Sequence, residues 1–189
     1  MLNDYSEQFS QIRSKTEEIC NPLETEDYVV QLMEDVSPPK WHLGHTTWFF
    51  EQFLLIPYFN DYAPFHPEFN YVFNSYYESV GKRVLRTDRG NLSRPTTKEI
   101  YAYRAYVDKH MLGLLERKEL LTDEVCFTLD LGLNHEQQHQ ELLVYDIKYI
   151  LGNNPLFPAY LFKDREVAKA SAAPLLFTPI NEGVYSIGH

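Results

Sequence analysis

Two histidines four residues apart, in the run His135-Glu136-Gln137-Gln138-His139, place the tightest constraint on how this chain can fold. The surrounding residues 131–143 are patterned as a helix, and on a helix the two imidazoles leave from one face, about 6 Å apart at Cβ. That separation suits two neighbouring ligands on one metal ion. At least one further ligand must come from elsewhere, so a second element has to pack against this face. The run Trp41-His42-Leu43-Gly44-His45 offers the candidate.

Four long segments carry helical periodicity. The first covers residues 4–19, and a short amphipathic piece follows at 25–33. Ser37 ahead of Pro38 and Pro39 predicts the start of the second, because proline is tolerated in a first helical turn. Its inward stripe is Trp41, His45, Trp48, Phe49, Gln52 and Leu55, and it should stop near Pro57. Residues 57–95 are irregular, rich in proline, aromatics and asparagine, and a loop of that length in a small domain is usually functional. The third helix is expected over 96–118, with Ile100, Arg104, Val107, Met111, Leu114 and Leu115 on one stripe. The fourth starts near Asp123 or Thr128 and runs to Leu151, where Gly152 predicts a left-handed cap. The expected class is therefore all-α: a four-helix bundle with a long crossover loop and a short C-terminal β-like tail from the alternation in 177–189. Metal sites in such bundles sit between facing helices.

Composition narrows the function classes. The 189 residues carry 17 basic and 27 acidic side chains, a formal charge of −10. With no Lys/Arg block, neither nucleic acid nor an anionic membrane is an expected partner. No apolar run reaches the ~20 residues of a membrane-spanning helix, and the N-terminus has no signal-peptide pattern. Cys20 and Cys126 are far apart and outside any C-x-x-C, which fits a reduced, cytoplasmic protein.

His-Glu-x-x-His has several readings. In a zinc peptidase the histidines hold the ion and Glu136 is the general base; no His-x-x-Gly-x-x-His extension follows to support it. A histidine pair with no metal is the plainest alternative. His45 is the better third ligand, since an imidazole among Trp41, Trp48 and Phe49 needs a partner for its nitrogens. His42 lies about 300° around the helix from His45 and is less well aligned. Three neutral imidazoles leave the rest of a metal's coordination open, which suits non-haem iron and zinc equally. Gln138 can flank the ion or be a surface glutamine. Glu136 and Glu141 are expected to bond neighbouring helices or orient a ligand, and Asp146 to be buried and paired. Arg83 and Arg86, one turn apart if helical, could clamp a carboxylate or form a solvated basic turn. His66, His110 and His189 have no such context.

Three stretches together resemble a known family. They are residues 37–51 (Ser-Pro-Pro-Lys-Trp-His-Leu-Gly-His-Thr-Thr-Trp-Phe-Phe-Glu), Leu92-Ser93-Arg94-Pro95-Thr96, and His135 to Glu141. They are similar to the ergothioneine-biosynthesis sulfoxide synthases (EgtB) over about residues 5–160, the DinB-like helical domain of that family. The resemblance implies Fe(II) held by His45, His135 and His139, with zinc or nickel as occupants after purification. It implies three small-molecule substrates: O2, trimethylhistidine (hercynine), and a thiol, either γ-glutamylcysteine or cysteine. Arg83 and Arg86 match arginines that hold the thiol substrate's carboxylates, and Gln138 a position lining the histidine-betaine pocket. Residues 1–165 are expected to form the metal-binding bundle, 166–174 a linker, and 175–189 the start of a truncated formylglycine-generating-enzyme-like domain. In that family the second domain supplies the catalytic tyrosine, so no catalytic residue beyond the metal site is expected here. Self-association through uncovered apolar surface is expected as well.

Overall fold

The amphipathic segments become helices in the computed structural model, which describes residues 5–60, 62–75, 81–161 and 173–187. In chain order these are α1 (Tyr5–Cys20), α2 (Pro39–Phe50), α3 (Ile56–Tyr58), α4 (Phe69–Phe73), α5 (Thr97–Glu116) and α6 (Asp123–Gly152). The four long ones, α1, α2, α5 and α6, make the bundle, and no strand occurs among the described residues. None of these helices is long and apolar enough to cross a membrane.

Local signals explain most of the boundaries. Thr96 and Glu99 form a reciprocal capping box at the start of α5, the Glu99 N–H donating to Thr96 Oγ1 and the Thr96 N–H to the Glu99 carboxylate. Thr122 caps α6 through the Val125 N–H. Helix α2 starts at Pro39, two residues past Ser37, whose N–H donates to the Asp146 carboxylate on α6, 3.1 Å away. The helical path ends near Pro57 as expected, at Tyr58, after a change of helix type. Glu51–Leu55 widen into a π turn, with the Ile56 N–H reaching the Glu51 carbonyl, and α3 carries the chain on to Tyr58. Proline lacks an N–H and clashes with the carbonyl four residues back, and a wider turn just ahead of it relieves both problems.

Gly152 does not adopt the left-handed conformation expected of it. The helix runs through it, and Asn153 closes the end at φ −98°, ψ −3°, its N–H and side-chain amide both donating to the Tyr149 carbonyl. Downstream, Tyr160 ties back to α1 by donating to the Ile19 carbonyl at 2.7 Å. Most of the expected linker, 166–172, lies outside the described residues. The β-like tail does not form a strand. Leu175, Phe177, Ile180, Val184 and Ile187 are exposed, and alternation alone makes no ladder without a neighbouring strand to exchange hydrogen bonds.

Two features set the packing. Helix α2 is enclosed: every residue from Pro39 to Phe50 is buried, with α5 and α6 beside it and α4 from the crossover loop beneath. Phe69 and Phe73 of α4 belong to the main core, so much of the long loop is packed structure.

The second feature is a buried ionic network centred on Glu136 of α6. Its carboxylate accepts from Arg13 Nη1 at 2.8 Å, Arg104 Nη2 at 2.7 Å and Thr16 Oγ1 at 2.7 Å. Arg13 also reaches Asp108 and Thr47, and Arg104 reaches Glu17 and the Arg13 carbonyl. All four bundle helices contribute. Burial pushes the Glu136 carboxyl up, but Arg104 and Arg13 pull it down further, to about 2.

Removing one partner from such a cluster leaves uncompensated buried charge, so Glu136→Gln should cost about 3–5 kcal/mol in urea unfolding at pH 7. The acid dependence follows from the same group. Its folded pKa lies below the ordinary 4.5, so its contribution is complete above about pH 4.5 and drains away as pH falls toward 2. The shift corresponds to about 3 kcal/mol. Asp108, raised by burial, works in the opposite direction. Unfolding measured between pH 5 and 2 should be steeper for the wild type than for Glu136→Gln.

Candidate metal centre

His45 projects from α2, and His135 and His139 from the facing side of α6. Their rings cluster with centroids 5.0 Å (45–135), 4.8 Å (45–139) and 4.6 Å (135–139) apart. One nitrogen from each lies within 4.8 Å of the others. Three ligands at ~2.1 Å on a tetrahedral or octahedral ion stand about 3.0–3.4 Å apart, so an ion would draw the nitrogens together by about 1–2 Å. The expected trio is thus brought together.

Each ring is oriented by something specific. His45 is sandwiched between Trp41 (4.6 Å, 12° between planes) and Trp48 (5.5 Å, 18°). Its Nδ1–H donates to the Phe73 carbonyl at 2.6 Å, which leaves Nε2 as the free lone pair. His139 has Nδ1 engaged by His42 Nδ1 at 2.9 Å, and His42 Nε2 meets the Asp146 carboxylate at 2.9 Å. His135 Nδ1 is buried with no hydrogen-bond partner. A buried ring nitrogen without a partner is costly, and a metal ion would satisfy it.

The protonation states agree. Burial pushes His135 down to about 4. It holds His45 well below the usual imidazole range, with His135 adding to the effect. Burial also drives His139 far down, reinforced by His42, His45 and His135. All three are neutral at pH 7, the form that ligates metal. The donor set fits a borderline divalent cation such as iron or zinc.

The histidines open onto a cavity of about 300 Å³ that is also lined by Trp41, Gln138, Tyr145, Arg86 and Arg89. Gln138 and Arg86, both named from the sequence, thus line the same cavity as the three histidines. Arg83 is half-buried and is not among the lining residues. Arg89 takes the position one turn further along and was not anticipated. Its guanidinium lies over Trp41, 3.3 Å from the ring centroid, and donates to Ser37 Oγ at 2.8 Å and Ser75 Oγ at 3.0 Å. The available signal was Arg86-x-x-Arg89, the same one-turn spacing as Arg83 and Arg86. Arg86 itself donates to the Asp35 carbonyl.

The remaining candidates separate cleanly. Glu136 faces α1 and α5 through its ionic network, so a peptidase-type general base at that position has no access to the cavity. Asp146 is buried and paired as expected, while Glu141 is exposed. His66 accepts the Glu68 N–H and His110 bonds the Tyr106 carbonyl, neither beside the cavity. His189 lies outside the described residues.

A family model described as the DinB superfamily matches residues 8–143. No curated protein matches the chain.

Gly44, beside His45, packs its backbone against the Phe73 ring so closely that any Cβ would overlap it. Gly44→Ala should cost about 1–3 kcal/mol through this overpacking, read as a fall in the thermal midpoint. It should also disturb His45, because the residue it displaces supplies the carbonyl that orients that ring.

Proposed function

Because the chain belongs to the DinB superfamily, we propose that it is the metal-binding domain of a non-haem iron(II), O2-using sulfoxide synthase, with His45, His135 and His139 as ligands. The observation that carries this reading is one cavity with three neutral imidazoles on one side and two guanidiniums on another. A cytoplasmic setting suits the two free thiols of Cys20 and Cys126.

The reaction joins a thiol to the imidazole ring of trimethylhistidine. The S–H and ring C–H hydrogens leave with one oxygen atom as water, and the other oxygen atom becomes the sulfoxide. The ion, when bound, would supply the dioxygen chemistry that amino-acid side chains lack. This chain's residues bind and orient. Arg86 and Arg89 present positive charge for the carboxylates of γ-glutamylcysteine or cysteine, and the stacking on Trp41 fixes the direction of Arg89. Gln138, next to His139 in sequence, offers an amide to the trimethylhistidine ring. Trp41 and Leu142 wall the cavity with apolar surface, which excludes water from the reacting groups.

Anaerobic loading with Fe(II) should give about one ion per chain by metal analysis. Alanine at His45, His135 or His139 should each lower occupancy, while His66→Ala and His110→Ala should not. Stoichiometric metal in a His135→Ala/His139→Ala double variant would sink the ligand assignment. Zinc bound tightly, with no O2 uptake on adding both substrates, would point instead to a zinc-dependent thiol-handling enzyme.

Arg86→Met should leave metal content unchanged and weaken thiol-substrate binding by about 10–100-fold, the worth of a charge-assisted hydrogen bond of ~1.5–3 kcal/mol. Unchanged binding would remove Arg86 from the site.

A further inference from the structure

We infer that His42 and Asp146 are positioning residues for the metal: Asp146 sets the tautomer of His42, and His42 in turn aims Nε2 of His139 at the ion. This rests on the three-histidine reading above, and it assigns a task to two buried polar residues that the reading leaves unused.

Two ring nitrogens, His42 Nδ1 and His139 Nδ1, face each other at 2.9 Å, and one proton must lie between them. His42 Nε2 lies 2.9 Å from Asp146 Oδ2. A carboxylate only accepts, so His42 carries its proton on Nε2 and, as a neutral ring, has a bare lone pair on Nδ1. His139 must then be the donor at Nδ1. A neutral imidazole protonated at Nδ1 keeps its lone pair on Nε2, the nitrogen available to the cluster with His45 and His135. The tautomer that makes His139 a ligand is thus dictated two residues away, by a carboxylate one helical face along α6.

The relay is held at both ends. Asp146 also accepts the Ser37 N–H at 3.1 Å, at the entry to α2. Ser37 Oγ receives Arg89. His42 and Asp146 are each only 2 % exposed, so water does not compete for these contacts. Metal-bound histidines commonly give their second nitrogen to a carboxylate or carbonyl, and losing that partner weakens metal binding by about 10–100-fold. Here the partner is an imidazole backed by a carboxylate. His45 has the simpler version, the Phe73 carbonyl.

A rival geometry exists, because two nitrogens 2.9 Å apart are also about as close as two ligands on one ion. In that case His42 would bind metal directly.

The test uses the full chain and zinc as a diamagnetic probe. Long-range proton–nitrogen NMR on the zinc-loaded wild type should show His42 protonated at Nε2 and unligated, and His139 protonated at Nδ1 with Nε2 on the metal. Competition with a fluorescent zinc chelator should show His42→Phe weakening affinity about 10–100-fold. His42→Gln should stay within about threefold of wild type, because its amide oxygen can accept from His139 while its NH2 donates to Asp146. A purely structural role would not distinguish Phe from Gln in this way. A metal-shifted nitrogen on His42, or equal affinities for wild type and His42→Phe, would overturn the relay and leave the three-histidine site standing. A wild type that takes up no zinc would overturn both. The NMR arm needs no variant, so the inference stays testable even if His42→Phe fails to fold.

Discussion

A single carboxylate in the middle of the bundle organises the molecule. Glu136 has no solvent exposure, yet it is ionised between two guanidiniums from α1 and α5. Burying that much charge is tolerable only because each carboxylate oxygen of Glu136 and each guanidinium nitrogen of Arg13 and Arg104 has a hydrogen-bond partner. The partners come from every long helix, so the network specifies how the helices are arranged as well as holding them together. The neighbouring residue in sequence, His135, points the other way, into the cavity. One helix therefore divides its two flanks between an ionic core and the candidate metal site. The two jobs sit one residue apart.

Helix α2 connects those flanks. Its threonines, Thr46 and Thr47, lie against the arginines of the network, and its His42 and His45 meet the histidines of α6. It has no exposed side, so both flanks pack directly on it. The crossover loop closes the site from a third direction, with Phe73 under Gly44 and its carbonyl on His45, and with Arg86 and Arg89 at the cavity wall. What reads in sequence as an irregular excursion is one wall of the candidate site.

Much of this was legible from residue patterns. The 3.6-residue periodicity located the four long helices within a few residues, and the pairing of His135 with His139 pointed to a facing ligand that His45 supplies. Some local details of helix geometry, and contacts between residues far apart in sequence, were not legible. The π turn ahead of Pro57 reflects how a buried helix accommodates a missing N–H. Asn153, through its own hydrogen bonds to Tyr149, closes α6 where Gly152 was expected to. Glu136 bonds neighbouring helices as expected, but its partners, Arg13 more than a hundred residues away and Arg104, could not be named from spacing. Arg89 was passed over because three arginines at one-turn spacing look alike until Trp41 is placed beside one of them.

The stack Arg89–Trp41–His45–Trp48 carries a consequence of another kind. The protein has only two tryptophans, and both lie against the same histidine ring. Its indole emission therefore originates at the candidate metal site. A paramagnetic ion on His45 would drain that emission through the stacked rings, while a closed-shell ion would leave it largely intact. The two indoles would thus serve as an optical reporter for any ion taken up by the three histidines.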